Sequence, residues 1–275
     1  MLPLSPGRVP TSDAELTTRL TEGLVQLLRP HVATHVRVSV AGATAEHVEA
    51  VRIDLSGAET DPVAAQVPGP GGTPVTVDRV DLQADPLTVR GVRLRMHGEL
   101  HRVPAAWSRD DAGLLWLVPQ DQDRSSGAAG GTEGEVTLAA QVADLEAGLL
   151  EIGRPLLAER GFTLTAVQLG VQATGSNQAE VHVQAQVRRG ILRATVEGRG
   201  RAAVDEALVL TLSNLQVSSA NPLVSVGLAV LSRHLHAWEG RRIELGGHLV
   251  GGVRLTQVAV RTSGDEVAVH AQVGE

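Results

Sequence analysis

One stretch limits the possible folds more than any other: Asn221–Gly240, NPLVSVGLAVLSRHLHAWEG. Asn221 offers a side-chain acceptor to the free backbone N–H groups of a first helical turn, and Pro222 suits the first helical position. Gly240 suits the left-handed conformation that stops a helix. Between them Val224, Leu228, Leu231, Leu235 and Trp238 recur at alternating steps of four and three, which is one helical face. Leu223, Val226 and Val230 add a second apolar row, so the polar remainder is narrow. In a chain of net charge −7 such a helix has to be enclosed. Most of the other periodic segments alternate with period two, so the enclosing element is a sheet.

The chain of 275 residues is long enough to bury a sizeable core. Its acidic balance argues against nucleic acid, which needs a concentrated basic surface. All 24 basic residues are arginine. Cysteine is absent, which removes disulfides, thiolate metal sites and a cysteine nucleophile. The first residues, MLPLSPGRVPTSDAE, hold no apolar run of signal-peptide length, and no stretch reaches the ~18 apolar residues of a spanning helix. The expected location is therefore cytoplasmic or peripheral to the membrane.

Residues 1–11 read as a loose tail. Ser12 with Glu15 forms a capping box, and Leu16, Leu20, Leu24 and Leu27 predict a helix over Asp13–Leu28 that Pro30 ends. Glu15, Arg19 and Glu22 are placed on its wet side. Strands follow around Val36–Val40 and Val51–Leu55, then a proline-rich loop at 60–74. Val75–Leu82 is a strand whose apolar positions switch from odd to even numbers around Asp78, which marks an irregularity. Leu87–Val103 reads as a single strand, with Val92, Leu94, Met96 and Leu100 on one face and Arg93, Arg95, His97, Glu99 and His101 on the other. At ~3.3 Å per residue it would be about 50 Å long and would have to coil. Leu114–Val118 closes the first half, and 119–134 is a flexible connector. In the second half Asp144 starts a helix through Arg160, with Leu145, Leu149, Ile152 and Leu156 facing inward. Strands at Leu164–Val171, Glu180–Val187, Ile191–Glu197 and Ala203–Val217 lead to the apolar helix and a final strand pair.

Motifs for chemistry are scarce. His31 and His35, and His97 and His101, are each four apart, but the first pair follows a helix-ending proline and strand spacing separates the second by ~13 Å. No nucleophile elbow or phosphate loop is present in the sequence. Asp110–Asp111 and Asp121–Asp123 read as solvated turns, and Arg241–Arg242 as cations favoured at a helix C-terminus. No catalytic residue, metal ligand or cofactor is assigned. What remains is the interior: either the sheet closes on the helix and the core is dry, or a slot is left that an acyl chain can fill, at roughly 0.8 kcal/mol per buried CH₂.

Three segments resemble the LmeA-like phospholipid-binding family, a bacterial branch of the tubular lipid-binding (TULIP) superfamily. They are VDLQADPLTVRGVRLRMHGEL, GEVTLAAQVADLEAGL and LAVLSRHLHAWEGRRIELGG. The resemblance spans most of 12–273 and implies an α+β fold, a strongly curved, long-stranded antiparallel sheet wrapped around a few amphipathic and apolar helices. The expected organisation is one domain over 12–273, in two halves, 12–118 and 135–273, joined by 119–134. The implied function is non-enzymatic: phospholipid or fatty acyl chains held in an apolar groove between helix and sheet, with peripheral membrane contact. Inward-facing Leu94, Met96, Val183, Leu228, Leu231 and Leu235 are the expected lipid contacts. The alternative is a structural or adaptor domain with a filled core, acting through the polar face around Arg93–His101.

Overall fold

The N-terminal helix α1 (Asp13–Leu28) carries both of its stop signals. The Ser12 hydroxyl accepts from the Glu15 N–H at 3.4 Å, and Arg29 takes a left-handed φ of 48° while its N–H reaches the Val25 carbonyl. The computed structural model describes residues 1–62, 68, 71–120, 132–159, 161–219, 221, 239–244 and 255–274. The apolar stretch over 222–238, and with it Leu228, Leu231 and Leu235, lies outside the described residues.

Leu16, Leu20 and Leu24 of α1 are buried as their spacing predicts. Arg19 is buried too, which corrects its wet-side placement. Its guanidinium donates to the Ser5 carbonyl at 2.6 and 3.1 Å and also to the Arg8 carbonyl. The first residues are accordingly not a loose tail. Leu2–Leu4 forms strand β1, Leu4 is fully buried, and Gly23 lets the chain cross α1 closely, because a β-carbon there would run into the Pro3 carbonyl.

Two sheets make up the rest. The larger has ten strands: β1, β2 (Arg37–Ala41), β3 (His47–Asp54), β4 (Glu59–Thr60), β5 (Thr73–Val89), β6 (Val92–Arg109), β7 (Leu115–Pro119), β8 (Glu133–Gln141), β14 (Leu255–Ser263) and β15 (Glu266–Val273). Its main order is β14-β15-β8-β6-β5-β3-β2, with β7 on β6 and β1 on β7. The second, five-stranded sheet holds β9 (Thr163–Gly175), β10 (Gln178–Arg189), β11 (Leu192–Val204), β12 (Val209–Ser219) and β13 (Arg242–Glu244), in the order β13-β12-β11-β10-β9. Pairing is antiparallel, except that β3 and β4 run parallel to β5. The fold is α+β as expected. The strands form two sheets rather than one blanket, and neither closes or curls strongly.

The strand expected over Leu87–Val103 is a hairpin. Arg90 and Gly91 have φ of 49° and 78°, and Val89 pairs with Val92. Two consecutive positive φ values make the tight turn that suits the twist of a two-strand ribbon. Long strands are nonetheless present, since β5 has 17 residues and β6 has 18. The irregularity expected at Asp78 is real. Val75 and Val77 are buried on one side of it and Ala84 on the other, while Arg102, facing Asp78 between the pairs Val77–Val103 and Arg79–His101, has φ 53°. The left-handed residue is on β6, and the shift in register along this strand pair falls further on, between Ala84 and Leu87.

Helix α2 (Val142–Ala158) follows β8 directly. It has no side-chain cap, and Asp144 sits in its first turn rather than at its start. Its inward face differs from the expected one. Gly148 is buried against Val92, where a β-carbon would collide with the Val92 side chain, and Glu146 accepts the Leu169 N–H at 2.7 Å. Leu149, Ile152 and Leu156 point outward and are exposed. The main core lies under the larger sheet, where α1, β3, β5 and β6 converge on Leu16, Leu20, Val48, Val51 and Val77. The two sheets meet through a smaller cluster, Val204, Leu208, Leu255 and Val273, and through the Val260 N–H bonded to the Ser176 carbonyl at 2.8 Å.

Candidate functional site

On β11, Gly198 and Gly200 stand opposite Val183 and Val181 of β10. Two absent side chains in the middle of an apolar face leave a gap. Leu212, Leu215 and Val217 of β12 border it on the other side, and the resulting recess measures about 220 Å³. Leu212 shares a side with Leu215 and Val217 because Asn214 between them takes φ 54°, beside the register shift at Arg199–Arg201. A β-carbon built at Gly198 would lie 3.9 Å from the nearest side chain, so this position has room to spare. At Gly200 the same atom would press on Leu215 at 2.8 Å.

Among the described residues, Val183 is thus the one expected lipid contact that borders this recess. Leu94 and Met96 are half-buried neighbours on β6, in the other sheet, and Met96 packs against the main core. The structure brings Leu94 and Met96 together, but places Val183 in a separate layer. Sequence reading missed Val181, Leu212, Leu215 and Val217. The signal was present: β12 changes parity between Leu212 and Leu215, as β5 does at Asp78.

The opposite face of the five-stranded sheet is polar. An open depression of about 720 Å³ is lined there by Gln172, Glu180, His182, Arg199, Arg201 and Gln216, among others. Arg201 pairs with Glu180, and its Nε has no hydrogen-bond partner. Among the described residues its lining holds no hydroxyl, thiol or amine, and Glu180 and His182 are its titratable groups besides the two arginines.

The outer face of the larger sheet carries a ladder of charges across four strands. Arg37 reaches Asp54 at 2.6 Å, Arg52 reaches Asp81 at 3.3 Å, Arg79 joins Asp81 at 2.7 Å and Glu99 at 3.0 Å, and His101 meets Glu99 at 3.0 Å. Burial pushes the Asp54 carboxyl up, but hydrogen bonds from Ser56 and the Arg37 guanidinium outweigh it and hold the group below the usual carboxylate range. His31 lies between Glu59 at 3.4 Å and Asp61 at 3.6 Å. Among the described residues no three histidine or carboxylate side chains converge as metal ligands would, and no helix is long and apolar enough to cross a membrane.

The chain matches no protein-family model, no curated protein and no solved structure. The functional reading therefore rests on the apolar recess, the polar faces and the exposed groups of the molecule itself.

Proposed function

We propose that the protein binds hydrocarbon chains, those of a phospholipid or fatty acid, without catalysing a reaction. The observation that carries this reading is the glycine-floored recess between β10 and β12. An apolar sheet face is ordinarily filled by side chains to near crystal density. Here Gly198 leaves it open in front of Val183 and Val217, while Leu215 leans over Gly200 and, with Val181 and Leu212, borders the opening. The apolar stretch 222–238, which the TULIP resemblance would make the helix of an acyl groove, follows β12 in the chain and lies outside the described residues. Leu228, Leu231 and Leu235 stay in the proposal as acyl contacts on their sequence alone, and Leu94 and Met96 as apolar side chains of the other sheet. The recess alone falls below the ~300 Å³ at which small-molecule pockets begin. It therefore holds the end of one chain.

The test uses the room at Gly198. Protein purified without detergent is expected to yield stoichiometric acyl lipid on organic extraction and mass spectrometry. Gly198→Leu fills the recess and should lower bound lipid by at least tenfold, since burying fewer CH₂ groups at roughly 0.8 kcal/mol each reaches 1.4 kcal/mol within two of them. Background lipid in the parent protein, or equal lipid in both, overturns the reading.

A second reading has its own support, in the charge ladder from Arg37 to His101. An adaptor domain acting through that face needs a regular, polar, exposed surface, and this one is all three. Lipid-free protein with a full core and unchanged folding after Gly198→Leu would favour it.

A further inference from the structure

The most exposed large apolar side chain among the described residues is Ile191, at 97%. It sits at the tip of the β10–β11 hairpin, in the sequence Arg188-Arg189-Gly190-Ile191-Leu192-Arg193. Leu192 is exposed as well. A hairpin tip needs only turn residues, and glycine at 190 with φ 58° already provides the turn. Two large aliphatics held in water there are not required by the fold.

The end of α2 lies beside this tip. Thr163, which opens β9, pairs with Arg188, and the Arg189 guanidinium sits 5.3 Å from the centre of the Phe162 ring. Phe162 is tied in turn to α2 through its N–H to the Leu157 carbonyl at 3.0 Å. The last turns of α2 present Ile152 and Leu156 outward, the latter 60% exposed, with Arg154 between them. One end of the molecule therefore combines outward aliphatics from two elements with arginines from both. Glu151, next to Ile152, and Glu159 are the opposing carboxylates in the same stretch, two against the four arginines Arg154, Arg188, Arg189 and Arg193. Among the described residues none of Arg154, Arg188, Arg189 and Arg193 forms an ion pair, although Arg188 turns its Nε to the Gly190 carbonyl. In a chain of net charge −7 this is a local excess of positive charge.

We propose that this end, the β10–β11 tip with the last turns of α2, docks on anionic lipid bilayers. Ile191 and Leu192 enter the boundary between headgroups and acyl chains, and the arginines meet lipid phosphates. Charge complementarity selects this occupant. A protein groove would receive the aliphatics equally well but would leave unpaired arginines around them, whereas an anionic headgroup layer offers phosphates on every side. The inference rests on exposure and charge alone and does not depend on the recess at Gly198.

The test is sedimentation of the full chain with extruded vesicles, either pure phosphatidylcholine or phosphatidylcholine mixed with phosphatidylglycerol. The protein is expected to pellet with the mixed vesicles and to be released as salt screens the charges. Ile191→Ser should weaken binding about tenfold, the loss of one buried aliphatic side chain. The triple variant R188Q/R189Q/R193Q should weaken it about a hundredfold, at roughly fivefold per arginine. Arg52→Gln, on the outer face of the larger sheet, and Gly198→Leu should bind like the parent. All changed tip residues are exposed, so circular dichroism is expected to show unchanged folding. Protein that stays in solution with mixed vesicles overturns the proposal, as do tip variants that pellet like the parent. Vesicle binding that survives Gly198→Leu while extracted lipid falls separates this surface from the acyl-binding reading.

Discussion

Arg19 shows how one residue can change the meaning of a segment. By charge it belongs in water, and by position on α1 it lies next to Leu16 and Leu20. The structure resolves the conflict by giving the guanidinium backbone carbonyls to bind. Ser5 and Arg8 are neighbours of β1, and Arg19 closes their carbonyls off from water. Its stem adds apolar contact along the way. Arg19→Met keeps the stem and removes the donors. It is expected to destabilise the fold by about 1–3 kcal/mol, the cost of leaving buried acceptors unsatisfied. Urea denaturation measures this, and an accompanying rise in proteolysis near residues 1–11 would show that the N-terminal segment has come away. A midpoint equal to the parent's would mean that the carbonyls find water without strain.

At the scale of elements, α1 and α2 give a controlled comparison. For α1 every level of the sequence agreed: a capping box, leucines at helical spacing, and a proline just past the end. Its boundaries and most of its buried face were legible for that reason. Helix α2 has leucines at equally good spacing, yet it packs through Gly148 and turns Leu149, Ile152 and Leu156 to solvent. Periodicity reports which residues share a face, not which face touches the neighbour. A glycine contact is invisible to it because the contact consists of an absent side chain. The β5–β6 hairpin was missed for a related reason. Alternation resumes directly after Arg90 and Gly91, and only the parity change from Leu87 and Val89 to Val92 and Leu94 betrays the turn. The same parity signal, read correctly at Asp78, would also have found Asn214 and the two residues beyond it that border the recess. The orientation of α2 yields a sharp expectation. Ile152→Gln and Leu156→Gln should each change stability by less than about 0.5 kcal/mol, as exposed substitutions do. Gly148→Val should cost about 1–3 kcal/mol by forcing the helix off Val92. The reverse ranking in thermal melts would put the leucine face inward.

Over the whole molecule, the larger buried cluster among the described residues and the apolar recess fall on different sheets. The main core, under the larger sheet, draws on α1, β3, β5, β6 and β7 and includes side chains with no exposure at all, such as Leu20 and Val48. Among the described residues the five-stranded sheet contributes to a cluster of four buried residues, half of them from β14 and β15. Cooperative units with fewer buried contacts open at lower free energy, and binding elements are commonly drawn from them. Native-state hydrogen exchange should therefore be slowest in β3, β5 and β6 and faster in β10–β12. Leu255→Ala, which removes a buried side chain from the junction, should cost about 2–4 kcal/mol at that junction and speed exchange in β9–β12 while leaving β3 and β5 nearly unchanged. A fatty acid held at the recess should do the opposite. It stabilises by mass action only the states that keep the recess formed, by about 2.7 kcal/mol at a hundred times its dissociation constant. Added oleate is thus expected to slow exchange in β10–β12 of the parent and to leave Gly198→Leu unaffected. Uniform slowing across both sheets, or slowing confined to α1 and β3, would place the hydrocarbon elsewhere in the fold.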